Sequence, residues 1–321
     1  MPFGFSLPGR GPLARPDVLV KLAERADALR YAFVFVTDHV VIPLTYDSTY
    51  PYATSGKAAS DWGQGYLEPL ALMSFLAGAT SRVRLGTSVL VVPYRNPVVT
   101  AKMLATLDVM SGGRVVLGIG VGWLREEFEA LHAPAFAERG RVTDEYLRLM
   151  RACWTREPVE WTGTHYRMGR VSMMPKPLQK GGVPIWVGGH TDAALRRAGE
   201  LADGWHPIAH RPPAELHPPE YAQKVAVIHD WAKKAGRDAK AITLSIRAPL
   251  ELSSPRAKPG AGHRIPFRGT AAEVVQDIKA YQAVGVRDFV FDLTSPDLRG
   301  QLATMERFAD EVRPKTQRAR R

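Results

Sequence analysis

A histidine directly after a buried strand is the residue in this sequence best suited to proton transfer. Residues 32–37 form an apolar, partly β-branched run, and Asp38 and His39 follow it immediately. An imidazole exchanges protons readily near neutral pH, so it can act as a general acid or base. If this strand opens into an active site, His39 is the candidate catalytic residue. The alternative interpretation is that Asp38 and His39 only cap the following loop.

A pair of glycines indicates a possible anion site elsewhere in the chain. An apolar strand at 184–187 runs into Gly188, Gly189, His190 and Thr191, and a helical pattern begins two residues later. Glycine allows close approach to the backbone, and the first N–H groups of a helix favour negative charge. The segment therefore predicts a phosphate site with His190 and Thr191 as further donors. An ordinary tight turn with Thr191 as N-cap is the alternative.

Three further residues are candidates because of their positions in apolar strands. Ser88 is polar within a buried run, which is unusual unless it faces a ligand or a bulge, although a structural role also fits. Arg247 needs an acidic ligand or partner if it faces the interior, and is unremarkable if it faces outward. Trp205 is suited to covering a ring, but its spacing also fits the core.

Strand and helix patterns alternate along almost the whole chain, in about eight units. Predicted strands cover residues 3–7, 32–37, 83–92, 114–118, 184–187, 204–207, 242–250 and 286–293. Predicted helices cover residues 17–30, 67–80, 97–110, 141–154, 193–202, 221–235, 271–283 and 298–312. Such alternation predicts an α/β fold, as a closed (β/α)8 TIM barrel or a long doubly wound sheet. The barrel is favoured because no G-x-G-x-x-G opens the first helix.

Two insertions interrupt this alternation, one after the second strand and one before the fifth. Residues 40–65 form a loop rich in tyrosine and tryptophan, and residues 157–182 indicate a short hairpin followed by proline-rich coil. Long loops near the carboxyl ends of barrel strands usually form lids or binding walls. Together with Trp123 and Trp161, the first loop predicts a hydrophobic or aromatic substrate.

Length and charge limit the remaining classes. The chain has 321 residues with ordinary hydrophobic content, so we predict a single domain over residues 1–312 and a basic, disordered tail at 313–321. A net charge of +11 suits an anionic small ligand or nucleic acid. Because the basic residues are spread along the chain and no aromatic-plus-basic motif occurs, we expect a small-molecule ligand and no nucleic-acid partner.

Membrane, metal and hydrolase chemistry are disfavoured. No apolar run reaches the roughly 18 residues of a spanning helix. The start of the chain lacks a signal-peptide pattern, and the single Cys153 precludes an internal disulfide, so we expect a cytoplasmic protein. His206 and His210 are four residues apart, but adjacent prolines argue against a helix that would align them. We therefore predict no metal site, and no G-x-S-x-G elbow is present.

Several motifs together resemble those of luciferase-like monooxygenases. They comprise residues 86–97, 105–108, 111–114, 117–123 with Glu126 and Phe128, 136–146, 184–189 and 202–205. The likeness extends over the chain up to the basic tail and is greatest to the actinobacterial F420-dependent branch. It implies hydride transfer between the deazaflavin coenzyme F420 and a small organic substrate. The alternative is an FMN-dependent monooxygenase that uses reduced flavin and oxygen.

The resemblance also implies roles for individual residues. Asp38 and His39 line the deazaflavin, with His39 relaying a proton, and a bulge at Ser88–Val89, often with a cis peptide, supports the ring. The predicted cofactor-binding residues are Asp38, His39, Ser88, Val89, Gly120, Val121, Gly188, Gly189, His190 and Thr191. The predicted substrate-binding residues are Trp123, Trp205 and Arg247. Sugar-phosphate dehydrogenases of the family carry an acidic residue roughly where Trp123 stands, which argues against that substrate. We expect a homodimer.

Overall fold

Eight parallel strands form a closed ring in the computed structural model, which describes residues 1–58, 65–254 and 264–316. In chain order β1 to β8 are Phe3–Ser6, Phe33–Val36, Arg84–Thr87, Val115–Gly120, Ile185–Val187, Gly204–Trp205, Thr243–Leu252 and Asp288–Leu293. Each strand pairs in parallel with the next, and β8 pairs with β1. The predicted (β/α)8 barrel is confirmed.

Helices connect the strands around the outside of this ring. In chain order α1 to α9 are Pro16–Ala28, Pro69–Ala79, Pro97–Ser111, Arg125–Ala130, Arg139–Thr155, Asp192–Leu201, Pro218–Lys234, Ala271–Ala283 and Leu298–Arg307. Proline in the first turn fixes the start of α1, α2, α3 and α7, where a missing backbone N–H costs no helical hydrogen bond. A capping box of Thr270 and Glu273 begins α8. None of the helices described here is long and apolar enough to cross a bilayer.

Large aromatic rings fill the lower barrel because neighbouring strands supply glycine. Phe33, Phe35 and Trp186 pack together inside the ring. A Cβ on Gly86 would lie 2.5 Å from the Phe35 ring, and one on Gly4 would lie 2.4 Å from the carbonyl oxygen of Phe33. Successive strand residues face opposite sides of a sheet, so every second residue above this floor also points inward. These upper positions are mostly polar or glycine, and they form the mouth of the barrel.

Both insertions are present. Antiparallel strands Val159–Thr162 and Arg167–Val171 form the predicted hairpin before β5. The loop after β2 folds back toward the start of the chain, where Leu67 N–H donates to the carbonyl of Gly9 at 2.9 Å. Its aromatic residue Trp62 lies outside the described residues.

The predicted tail boundary is wrong. Arg313–Thr316 is helical and continues the last helix. The Arg313 guanidinium lies over the Tyr31 ring at 5.1 Å and donates to the carbonyl of Leu29 at 2.7 Å. Thr316 is buried, so the ordered domain extends at least to that residue. The prediction for residues 317–321 falls outside the described part of the chain.

Candidate active site

The mouth of the barrel is built around His39, which is fixed by a buried carboxylate. His39 Nδ1 lies 2.6 Å from Oε2 of Glu127, a residue of α4 that is fully buried. Since a carboxylate accepts and does not donate, His39 donates through Nδ1, which leaves Nε2 on the opposite side of the ring as the proton acceptor. The pair therefore sets both the orientation and the tautomer of His39.

Glu127 is in turn held by three other donors. Its Oε1 accepts from the N–H groups of Val40 at 2.7 Å and Val41 at 3.2 Å, and its Oε2 accepts from the Tyr94 hydroxyl at 2.9 Å. Burial, followed by the charge of Glu127, raises the pKa of Tyr94, so that its hydroxyl keeps its proton and donates. Four hydrogen bonds compensate the desolvation of this carboxylate and fix it rigidly.

Asp38 lies beside His39 in sequence but acts as a brace. Its carboxylate forms a bidentate pair with Arg95, at 2.7 and 2.8 Å, and accepts from the N–H of Val91 at 2.8 Å. Arg95 also pairs with Glu68 at 2.8 Å. Asp38 therefore ties the end of β2 to the segment after β3, as in the alternative interpretation of a structural cap. The negative charge of Asp38 is therefore paired with the guanidinium of Arg95.

An aromatic wall, consisting of Tyr46, Tyr50, Tyr66 and Trp123, stands beside His39. The Trp123 ring centroid lies 5.1 Å from that of Tyr50, 5.9 Å from that of Tyr46 and 6.5 Å from that of His39. The Tyr66 ring lies 4.9 Å from the His39 ring. Trp123 therefore lies at the mouth, where it was predicted to meet substrate.

Glu126, the neighbour of Glu127, holds this wall in place. Its carboxylate accepts from the backbone N–H of Asp47 at 2.8 Å, and from both the N–H and the hydroxyl of Ser48. Although burial opposes ionisation, the hydrogen bond from Ser48 and those from backbone N–H groups lower the pKa of Glu126 to about 2. The two adjacent glutamates thus have separate tasks, one on the loop and one on His39.

A network of polar side chains lines the barrel beneath the mouth. The Ser88 hydroxyl donates to Nε2 of His206 at 2.8 Å, and His206 Nδ1 donates to the Ser245 hydroxyl at 2.7 Å. Ser245 donates onward to the carbonyl of Trp205 at 3.0 Å. Burial lowers the pKa of His206 to about 3, so this ring stays neutral at neutral pH and serves as a fixed link.

Arg247 faces the interior, and its partner belongs to the protein. It pairs with Asp292 at 2.7 Å and also donates to the Ser88 carbonyl and the Ser6 hydroxyl. A second cation, Arg211, lies 2.7 Å from Asp292. Burial opposes ionisation, but Arg247 and Arg211 hold the pKa of Asp292 below its ordinary value. Two guanidinium groups share one carboxylate here, which leaves the network net positive.

The centre of the mouth has a smooth apolar surface formed by Val89. The Ser88–Val89 peptide is cis, as the family resemblance implies. A Cβ on Gly120 would lie 2.6 Å from Val89 Cγ2, and one on Gly188 would lie 2.9 Å from Val89 Cγ1. Glycine at both positions therefore makes room for Val89. Val121 follows Gly120 and is half-buried at the same edge.

The turn after β5 differs from the expected phosphate site in one respect. The N–H of Gly188 donates to the carbonyl of Ile119 at 2.9 Å, so it is part of the sheet and cannot hold an anion. Among the described residues, the N–H groups of Gly189, His190 and Thr191 have no hydrogen-bond acceptor. Gly189 has φ +97°, which favours glycine.

The side chains of this turn are partly used within the protein. Nε2 of His190 donates to the carbonyl of Ile208 at 2.6 Å, and burial lowers the pKa of His190. The Thr191 hydroxyl caps α6 by accepting from Ala194 N–H at 3.3 Å, and its own proton remains able to donate. Backbone N–H groups are therefore the main anion donors of this turn.

Two predicted substrate contacts lie elsewhere. The Trp205 side chain is fully buried on the outer side of the barrel strands, between them and α7. Its ring lies 4.8 Å from the Tyr221 ring, and its indole N–H donates to the carbonyl of Gly189 at 3.0 Å. Trp205 belongs to the core because alternation along β6 turns it outward and His206 inward. Trp161 donates to Glu145 of α5 on the outer surface, away from the mouth.

Several residues at the site were missed by sequence reasoning. They are Glu127, Tyr94, Arg95, His206, Arg211, Ser245 and Asp292. One signal was present in the sequence. Glu127 lies between Leu124 and Phe128, and a charged residue next to such apolar neighbours needs a buried partner.

A barrel with a histidine–carboxylate pair and an anion-suited turn at the carboxyl ends of its strands has the architecture of an enzyme. The family model described as luciferase-like monooxygenase matches residues 1–258. The chain belongs to this family, and the resemblance found in the sequence is confirmed.

Curated relatives include both uncharacterised proteins and named enzymes. An uncharacterised protein of Mycobacterium tuberculosis is 37% identical over 186 residues, covering 58% of this chain and 63% of the relative. This chain thus spans less than two thirds of the length of that relative. An F420-dependent glucose-6-phosphate dehydrogenase of Segniliparus rotundus is 28% identical over 339 residues, covering 94% of both chains.

Solved structures share the fold at lower identity. A monooxygenase, RslO1, from Streptomyces bottropensis has a TM-score of 0.79 at 23% identity and covers 98% of this chain and 99% of its own. An F420-dependent secondary alcohol dehydrogenase in complex with an F420–acetone adduct has a TM-score of 0.77 at 19% identity, covering 99% of both chains. At these identities the likeness concerns the fold.

Proposed function

We propose that this enzyme transfers a hydride between coenzyme F420 and a small hydrophobic or aromatic substrate, with His39 as the proton relay. The observation that carries the proposal is the His39–Glu127 pair, 2.6 Å apart, beside the aromatic wall. Hydride transfer to a carbonyl must be accompanied by a proton on its oxygen, and hydride transfer from an alcohol by loss of the hydroxyl proton; a histidine with a fixed tautomer at the mouth can donate or accept that proton.

The residues present fit a flat ring with a phosphorylated side chain. Val89, with glycine on either side, offers an apolar surface for the face of a ring. The N–H groups of Gly189, His190 and Thr191 suit a phosphate. The net charge of +11 favours an anionic ligand with an acidic tail. When bound, F420 supplies the hydride acceptor or donor.

The protein's own contribution is orientation and exclusion of water. Glu127 keeps the proton on Nδ1 of His39, so Nε2 exchanges protons with the substrate. Glu126 holds the loop that carries Tyr46 and Tyr50 against Trp123, which covers the reacting groups with aromatic surface. Removing water from such a site strengthens its electrostatic interactions.

An FMN-dependent monooxygenase is the second candidate, supported by the name of the family model and by the monooxygenase among the structures. The F420-dependent and FMN-dependent candidates are distinguished by titrating the purified protein with F420 and, separately, with FMN. Binding is followed by fluorescence at physiological salt. We expect F420 to bind more tightly. A deazaflavin lacking phosphate and tail is the matched ligand control, and it should bind much more weakly than F420. Tighter binding of FMN, with substrate-dependent oxygen uptake, would reverse the assignment.

Substrate class is tested separately. A panel of hydrophobic alcohols, ketones and enones, together with glucose 6-phosphate, is assayed by the absorbance change of F420. We expect turnover within the hydrophobic set, because Trp123 and the tyrosines of the aromatic wall offer a substrate an extended aromatic surface. Turnover of glucose 6-phosphate alone would refute the substrate class while leaving the cofactor assignment intact.

A further inference from the structure

Two histidines and a glutamate converge at a second place, in the loop between β6 and α7. Nδ1 of His210 lies 3.7 Å from Oε2 of Glu215, and Nε2 of His217 lies 4.0 Å from the same oxygen. The three ligand atoms all lie within 4.8 Å of one another. A tight turn produces this convergence, because the N–H of His210 donates to the carbonyl of Glu215 at 3.1 Å.

The buried member of the cluster has an orphaned atom. His210 is 1% exposed, and its Nδ1 has no hydrogen-bond partner among the described residues. A buried polar atom of this kind is costly and calls for a ligand. Nδ1 is the His210 atom that faces Glu215.

The protonation of His210 suits metal binding. The Tyr281 hydroxyl donates to the carbonyl of Leu216 at 2.7 Å, which uses its only proton. It must therefore accept from Nε2 of His210, 2.7 Å away. The proton of His210 is thus on Nε2, and Nδ1 presents a lone pair to the cluster. Metal-bound histidines commonly make such a second hydrogen bond.

We propose that His210, Glu215 and His217 bind a divalent transition-metal ion of the zinc class. Nitrogen and carboxylate ligands about 2.1 Å from a tetrahedral zinc lie about 3.4 Å apart. Glu215 and His217 are each nearly half exposed and lie at the surface, so they can close the remaining gap. Three protein ligands leave a fourth position for water.

Part of the positive charge near the cluster, which comes from Arg264 and Arg268, is compensated within the protein. Arg264 approaches this region, but Asp277 binds it in a bidentate pair at 2.6 and 2.7 Å. The prediction that no metal binds considered His206 and His210 as a possible ligand pair, and His206 in fact faces the barrel interior. The proposed site uses a different pair of histidines.

The metal would stiffen one edge of the mouth. The same loop carries Arg211, which pairs with Asp292, and Ile208, whose carbonyl accepts from His190 at the turn after β5. An ion bound by three residues of this loop therefore stabilises groups that border the active site. The proposal is independent of which cofactor the enzyme uses.

Metal binding is tested on the full chain prepared without a histidine tag. Metal-free protein is titrated with zinc chloride by calorimetry, and with cobalt chloride by visible absorption, in a buffer that contains excess magnesium. We expect one equivalent to bind and the melting temperature to rise with zinc. Glu215→Gln and His217→Gln should each weaken zinc binding by at least about tenfold. Both change half-exposed side chains, so the fold should be preserved.

His229→Gln, on α7 outside the cluster, is the matched control and should bind zinc as the wild type does. The proposal is overturned if the wild type binds no stoichiometric zinc. It is equally overturned if Glu215→Gln and His217→Gln bind zinc with the affinity of His229→Gln, since the metal would then lie elsewhere.

Discussion

Replacing Glu127 with glutamine keeps the shape of the side chain but removes the charge against which His39 is oriented. A glutamine whose oxygen takes the Oε1 position, facing the N–H groups of Val40 and Val41, presents its amide N–H₂ to both His39 and Tyr94, which now donate to Oε2. If the amide faces His39, Nδ1 must accept and the proton moves to Nε2. We therefore expect Glu127→Gln to invert the tautomer of His39.

The size of the effect follows from the four hydrogen bonds that Glu127 accepts. Hydrogen bonds to a charged group contribute about 1.5–3 kcal/mol each, compared with about 1 kcal/mol for neutral ones, so weakening all four bonds should cost about 2–8 kcal/mol. With an unfolding entropy of about 2.1 cal/mol/K per residue, this loss lowers the melting temperature by about 3–12 °C. A histidine in the wrong tautomer loses its general acid–base contribution, so kcat should fall by about 10²–10⁴-fold.

Three measurements check this reasoning. Two-bond ¹H–¹⁵N spectra of histidine-labelled protein report the tautomer without any substrate. Calorimetric melting reports stability, and turnover is measured with a substrate found in the panel described above. Glu126→Gln is the matched control, since Glu126 holds the loop and does not contact His39. That variant should raise KM more than it lowers kcat. The pair does not control proton transfer if Glu127→Gln leaves the tautomer of His39 unchanged and kcat within threefold of the wild-type value.

Three further predictions concern other residues. His39→Ala should lower kcat by about 10²–10⁴-fold with cofactor affinity nearly unchanged; a large loss of affinity with kcat intact would make His39 a ring contact. Gly189→Ala should weaken cofactor binding, whereas Gly236→Ala, also at positive φ but far from the site, should cost only stability; equal affinities would place the phosphate elsewhere. Burial raises the pKa of Asp288 to about 6, so its ionisation destabilises the folded state as pH rises from about 4 through 6. Asp288→Asn should therefore raise stability by up to about 3 kcal/mol at pH 7.5 and add little at pH 4, as measured by urea unfolding; a larger gain at the lower pH would contradict the sign.

The fold was predictable because most strands and helices carry their own local signal, although the short helix α4 was not predicted. Short runs that are apolar on both faces marked most barrel strands, and prolines marked several helix starts. The start of the tail, residues 313–316, was mispredicted because its basic residues were taken to be solvated. The Arg313 guanidinium instead lies over the Tyr31 ring and donates to the carbonyl of Leu29. These contacts join residues at opposite ends of the chain.

The site was only partly predictable from the sequence. The errors arose because the sequence does not show which side chains of a strand point into the barrel and which point outward. Trp205 and His206 are adjacent, so a strand that turns one outward turns the other inward, and nothing local in the short strand β6 fixes which. The same uncertainty affected Gly188. The glycine pair was correctly located, but only the sheet shows that the first N–H is already bonded to Ile119.

The most consequential omission, Glu127, shows where single-sequence reasoning ends. Its partner His39 is 88 residues away, and both lie beyond the ends of regular strands, so neither strand order nor alternation predicts their contact. Glu126 and Glu127 are the same residue type, and the sequence alone does not distinguish them. Side chains of adjacent helical residues, however, point about 100° apart. One therefore reaches the aromatic loop and the other reaches the histidine. The tautomer of His39, and with it the direction of the proposed proton transfer, depends on the register of the six-residue helix α4.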